Sequence, residues 1–168
     1  EKDIYSIKAR NRNYFLERLE TFEDRELVKI DNNPDITVEH IFPQNPDPKW
    51  KQVLGDGEYK QIKNTYVNTI ANLTLSGNNG QLSNKYFTEK KAMNKDEGEQ
   101  GYAFSRLWLN RYLSQIDTWN MVTLEKRFEL IKERFASIWK FPEVTETKAR
   151  SVEELNIFEI EDPTYRKV

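Results

Sequence analysis

The chain has one imidazole, His40, in the run Thr37-Val38-Glu39-His40-Ile41-Phe42-Pro43-Gln44, directly after a carboxylate. A carboxylate next to an imidazole offers the two functions that metal-assisted phosphodiester hydrolysis requires, an oxygen ligand for a divalent ion and a base for the attacking water. Glu39 is the expected ligand and His40 the expected base, because a free imidazole titrates near ~6.5 and is partly neutral at cellular pH. Such a base needs its second nitrogen held by a carbonyl or an amide. Asn72 is the candidate, either to orient the ring or to pin the loop beside it. An amide oxygen from a later turn would complete the metal site, with Asn79 the first choice and Asn84 the second. Lys85, Lys90 and Lys91 follow that turn and are expected to contact nucleic-acid phosphates.

These residues need a scaffold, and composition limits what it can be. The chain has 168 residues, enough for one buried core. It has no cysteine and only one histidine. Disulfides, thiol nucleophiles and a thiolate zinc site are therefore excluded, and the expected ion is a hard one, Mg2+ or Mn2+. The formal net charge of -2 argues against a protein that coats nucleic acid through global charge. No apolar run approaches the ~20 residues of a membrane span and no signal peptide opens the chain, so a cytoplasmic protein is expected. With Glu1 first and apolar residues up to Val168, the sequence reads as part of a longer protein.

Apolar residues between Ile4 and Thr21 recur at mostly helical spacing and predict an amphipathic helix. Asp31-Asn32-Asn33-Pro34-Asp35 predicts a turn. Ile36 to Glu39 alternates as a half-buried strand, and Asn72 to Leu75 resembles a second, closed by Ser76-Gly77-Asn78-Asn79-Gly80. Between the strands, short helices are expected from Trp50 and over Glu58 to Asn68. Ser83 or Asn84 can cap a helix beginning near Lys85. Longer helices are predicted over Phe104 to Ile116 and Val122 to Trp139, with Trp108, Trp119 and Trp139 read as core. The expected fold is mainly α with a small β element, a ββα-metal finger embedded in a helical domain. Residues 1–142 would form that domain, with the ββα core at about 35–95, and residues 143–168 a tail toward a further segment.

Glu39-His40-Ile41-Phe42-Pro43-Gln44, Ile70-Ala71-Asn72-Leu73-Thr74-Leu75-Ser76-Gly77, Asn79, Leu82-Ser83-Asn84-Lys85-Tyr86-Phe87 and Glu89-Lys90-Lys91 together resemble the HNH nuclease domain at the C-terminal end of GmrSD-type restriction proteins. That group includes SspE-like and BrxU-like anti-phage defence proteins. The Arg10 to Leu19 segment and the Trp119 to Trp139 region with Arg127 resemble the family's flanking helices. The resemblance implies a divalent-metal-dependent DNA endonuclease, usually joined to an N-terminal ParB-like nucleotide-hydrolysing domain that this sequence lacks. It matches His40 to the general base, Asn72 to the middle asparagine of the signature and Asn79 to its last, metal-binding position. Two departures from the pattern stand out. Glu39 replaces a common aspartate, and the turn from Asn72 to Asn79 is shorter than in many such signatures. A catalytically silent binding module on the same scaffold and a nuclease acting on RNA are the competing readings.

Overall fold

The computed structural model describes residues 2–23, 29–94 and 100–140. Its sheet has two strands, β1 (Thr37–His40) and β2 (Leu73–Ser76), paired antiparallel with Glu39 opposite Thr74 and His40 opposite Leu73. Successive residues of a strand face opposite sides. Glu39 therefore turns toward the interior while His40 turns to the other face. The strands are joined by a long excursion rather than a tight turn. This excursion contains α2 (Pro48–Gln61), a wide π turn (Ile62–Tyr66) and a 3₁₀ turn (Ile70–Asn72).

Local chemistry sets the bounds of these elements. The Asp47 carboxylate accepts from the Lys49 amide and Pro48 occupies the first helical position, so α2 starts with its orphan N–H groups reduced. Gly55, at φ 73°, breaks that helix into two pieces, a backbone conformation that costs glycine nothing. After β2 come a short turn of helix, α3 (Asn79–Leu82), and then α4 (Phe87–Ala92). The helix predicted from Lys85 thus begins at Phe87.

The remaining helices are α1 (Ala9–Thr21), α5 (Trp108–Gln115) and α6 (Met121–Ile138). α1 starts five residues later than the apolar spacing predicts, and the segment before it runs alongside the sheet, bonded through the Ile4 and Tyr5 amides to the Asn68 carbonyl. α5 is shorter than predicted because residues 102–104 form a 3₁₀ turn. The buried Glu20 carboxylate of α1 accepts from the Trp108 and Leu109 amides and so caps α5 from another element. Burial pushes that carboxyl up from its ordinary value, and the two N–H groups oppose the shift. Asn120 and Thr123 form a reciprocal cap at the start of α6.

Two apolar clusters flank the sheet. The larger gathers Phe42, Trp50, Phe87, Tyr102, Trp119 and Leu124, and the smaller packs Leu16, Leu19, Leu75, Leu109 and Ile131. Trp119 is fully buried, as its reading as core requires, and Trp50 is as well. The protein is mainly α with one small antiparallel sheet. The predicted tail, residues 143–168, lies outside the described residues.

Candidate active site

Glu39, His40, Asn79 and Asn84 line one open groove together with Pro43, Gln44, Asn45 and Ser83. The groove lies at the His40 end of the strand pair. A second hollow, lined among others by Ser76, Gly77, Asn78 and Arg106, lies at the opposite end, where Ser76 pairs with Thr37.

Glu39 is 3 % exposed, and its Oε1 accepts from the Lys90 ammonium at 2.6 Å. Lys90 is fully buried and donates also to the His40 carbonyl at 2.8 Å. The Tyr102 hydroxyl donates to the same Glu39 oxygen at 3.5 Å. Burial pushes the Glu39 carboxyl up and the Lys90 ammonium down from their ordinary values, while each charge holds the other's shift back. The expectation that Lys90 contacts phosphate is thereby corrected, since its ammonium is sealed beneath the sheet. Lys91 reaches the Ile116 carbonyl and the Asp117 carboxylate, tying α4 to the end of α5. Of the three lysines only Lys85 lies beside the groove residue Asn84, with its ammonium donating to the Gln81 carbonyl.

The His40 ring stands on the other face of β1. Its Nε2 lies 3.2 Å from Asn68 Oδ1, and the Tyr5 ring covers it at 4.5 Å between centroids. Burial lowers the His40 pKa, the Asn68 contact opposes that shift, and the nearby cations Lys90 and Arg12 add to it. The shift favours the neutral imidazole, the state a proton acceptor needs.

Asn72 is fully buried and does not touch the imidazole. Its Oδ1 accepts from the Phe42 amide at 2.8 Å, while its Nδ2 donates to the Phe42 and Val67 carbonyls, each at 2.8 Å. The Asn72 carbonyl also accepts from the Ile41 amide. Of the two roles open to it, Asn72 pins the loop leaving β1. Its reading as a catalytic residue is corrected to a positioning one. Arg127 of α6 acts one layer beneath, its guanidinium donating to the carbonyls of Ile70, Ala71, Leu73 and Leu109. Asn79 donates its Nδ2 to the Val38 carbonyl and the Thr37 hydroxyl, so its oxygen remains the atom able to ligate. Asn84 is held through its backbone, whose carbonyl accepts from the Asp47 amide, and its side chain is exposed.

Sequence reasoning missed Asn68, Tyr102 and the role of Lys90. Asn68 reads from the sequence only as the last residue of a predicted helix, and Tyr102 lies 63 positions from the carboxylate it meets.

The family model of the GmrSD restriction endonuclease C-terminal domain matches residues 1–134. The chain belongs to this family. No curated protein and no solved structure matches it. The family is one of restriction endonucleases, which implies DNA as its substrate class. No helix among the described residues is long and apolar enough to cross a membrane. Among those residues no cluster of three or more His, Cys, Asp or Glu occurs. Glu39, Asn79 and Asn84 line the groove, but the Glu39 carboxylate is held by Lys90 beneath the sheet, so the hard-oxygen donors turned to solvent are amides, a set that fits an ion keeping several waters, as Mg2+ does.

Proposed function

We propose that this GmrSD C-terminal domain is an HNH endonuclease that hydrolyses phosphodiester bonds of double-stranded DNA with Mg2+ or Mn2+. The observation that carries the reading is that Glu39, the sole histidine and the two asparagines Asn79 and Asn84 border one open groove. Glu39 and Asn79 would hold the ion, with Asn84 the alternative amide. A divalent ion bound there supplies charge stabilisation for the phosphoryl oxygens as the transition state forms.

His40 takes a proton from the attacking water as the water oxygen bonds to phosphorus and the opposite P–O bond breaks in line. Asn72 keeps the Ile41–Phe42 backbone, and with it the imidazole, at a fixed height above the groove. Lys90 holds the Glu39 carboxylate beneath the sheet, and that pair would have to open for Glu39 to ligate an ion in the groove. Lys85 is the candidate phosphate contact. Nicking or cutting of invading DNA, in a cytoplasmic restriction system with a ParB-like nucleotide-hydrolysing partner domain, is the biological setting that fits.

The decisive assay is plasmid cleavage with Mg2+ or Mn2+ by the purified protein and by His40→Ala. Loss of the base should slow cleavage by about 10²–10⁴-fold without altering the circular-dichroism spectrum. Unchanged cutting at saturating metal would refute the role of His40. The buried Glu39–Lys90 pair favours a second reading, a binding module whose carboxylate has been diverted to structure. That reading expects DNA binding with no metal-dependent hydrolysis of either DNA or RNA duplexes.

A further inference from the structure

Resting on that reading of His40 as base, we propose that Asp3 and Asn68 are positioning residues that fix the tautomer of His40, leaving Nδ1 as the proton acceptor. They form a chain of side-chain contacts running inward from the surface. The Asn68 Nδ2 donates to Asp3 Oδ2 at 3.0 Å, and Asn68 Oδ1 faces His40 Nε2 at 3.2 Å.

Proton accounting along that chain gives one answer. Asp3 accepts the Tyr5 and Ser6 amides at Oδ1, and these bonds, that from Ser6 foremost, hold its carboxyl below the ordinary value. An ionised carboxylate only accepts hydrogen bonds, so the group of Asn68 turned toward it must be the NH₂. The amide oxygen is then the atom that faces the imidazole, and an amide oxygen cannot donate. Gln44 reinforces this orientation by donating its Nε2 to the same oxygen at 3.1 Å. His40 Nε2 must therefore carry the ring's hydrogen. In a neutral imidazole the lone pair is then on Nδ1.

The segment carrying Asp3 is built to stay in place. The Ile4 and Tyr5 amides donate to the Asn68 carbonyl at 3.0 and 3.3 Å. Arg12 from α1 donates to the Tyr5 carbonyl at 3.0 Å, and its guanidinium carbon lies 4.5 Å above the Tyr5 ring. That ring packs on the imidazole. The first residues of the chain are thus a strap across the histidine, and its side chains decide which nitrogen is basic.

His40 is the only histidine, so the two-bond ¹H–¹⁵N spectrum of the labelled protein contains one imidazole and reports its tautomer directly. At mildly alkaline pH, without metal, the protein should show the Nε2-protonated pattern. Asn68→Leu removes the acceptor and should yield a mixture of tautomers. Asp3→Asn, at an exposed position, keeps an oxygen for the Tyr5 and Ser6 amides and should shift the populations in the same direction by freeing the Asn68 amide to turn. In plasmid cleavage both variants should lower kcat by about tenfold with KM unchanged. An Nδ1-protonated pattern in the unmodified protein, or an unaltered pattern in both variants, overturns the proposal. A spectrum that changes as expected in a protein that cleaves nothing would uphold the positioning chain and reject the nuclease reading instead.

Discussion

At the scale of single residues, the contact that most affects the site is the one between Glu39 and Lys90. A lysine on a short helix after a turn is ordinarily solvated, and Lys90 is not, because its stem runs under the sheet and its ammonium finds Glu39 and a carbonyl there. Removing one partner of a buried pair leaves the other charge uncompensated. Lys90→Met should therefore destabilise the fold by about 3–5 kcal/mol. The double variant Lys90→Met with Glu39→Gln should recover most of that loss, because a neutral amide can stay buried at far lower cost. Urea denaturation of the two single variants and the double one measures the coupling. Additive losses would show that the pair contributes nothing as a pair. The adjacency of Glu39 and His40 was plain in the sequence, and so was the candidacy of Asn79. The inward turn of the carboxylate followed from strand alternation, but its partner, 51 residues away, could not be found from spacing.

At the scale of elements, the site depends on the short turn before β2, and that turn is held from below by α6. Arg127 is 2 % exposed and donates to four carbonyls, three of them in the Ile70–Leu73 stretch. Burial pulls its pKa down to about 9, and the nearby Tyr102 and Tyr112 oppose that shift. Arg127→Met would remove this donor from all four oxygens, of which the Ile70 carbonyl keeps the Leu73 amide. Each unsatisfied buried group costs about 1–3 kcal/mol, so a loss of several kcal/mol is expected, with a fall in thermal midpoint to match. Arg127→Lys should not rescue it, because an ammonium cannot reproduce the planar fork that spans carbonyls on two elements. A lysine variant melting like the parent protein would show that charge alone suffices. The helical period of α6 was readable, but Arg127 sits in it like any surface arginine. Only the packing of α6 against the turn reveals it as a central support. The start of α1 was misplaced for a related reason. Residues 4–7 fit a helical apolar pattern, yet Asp3 captures the Tyr5 and Ser6 amides, and the Asn68 carbonyl also binds the Tyr5 amide.

At the scale of the whole molecule, the charge inventory limits how this domain can bind DNA. The net charge is -2, and of the three lysines expected to meet phosphate Lys90 is buried against Glu39 and Lys91 is paired with Asp117. Each neutralised phosphate contributes about -0.9 to the slope of log K against log salt. A domain with Lys85 and one or two other cations at the groove should thus show a shallow slope, near about -2 to -3 for duplex DNA. Fluorescence anisotropy with a labelled duplex at graded potassium chloride measures it. A slope steeper than about -6 would mean that a basic surface away from the groove carries the contact.

Composition and pattern by themselves determined the class of fold, the two strands, the exclusion of thiol chemistry and the residues worth testing, because these follow from local periodicity and from which side chains are present at all. The tertiary structure decided what those residues do. It buried Lys90, made Asn72 a brace for the loop, and brought Asp3 and Asn68 to the imidazole. Such assignments depend on distances between segments far apart in the chain, and a buried charge or amide takes its role from whichever partner the packing supplies.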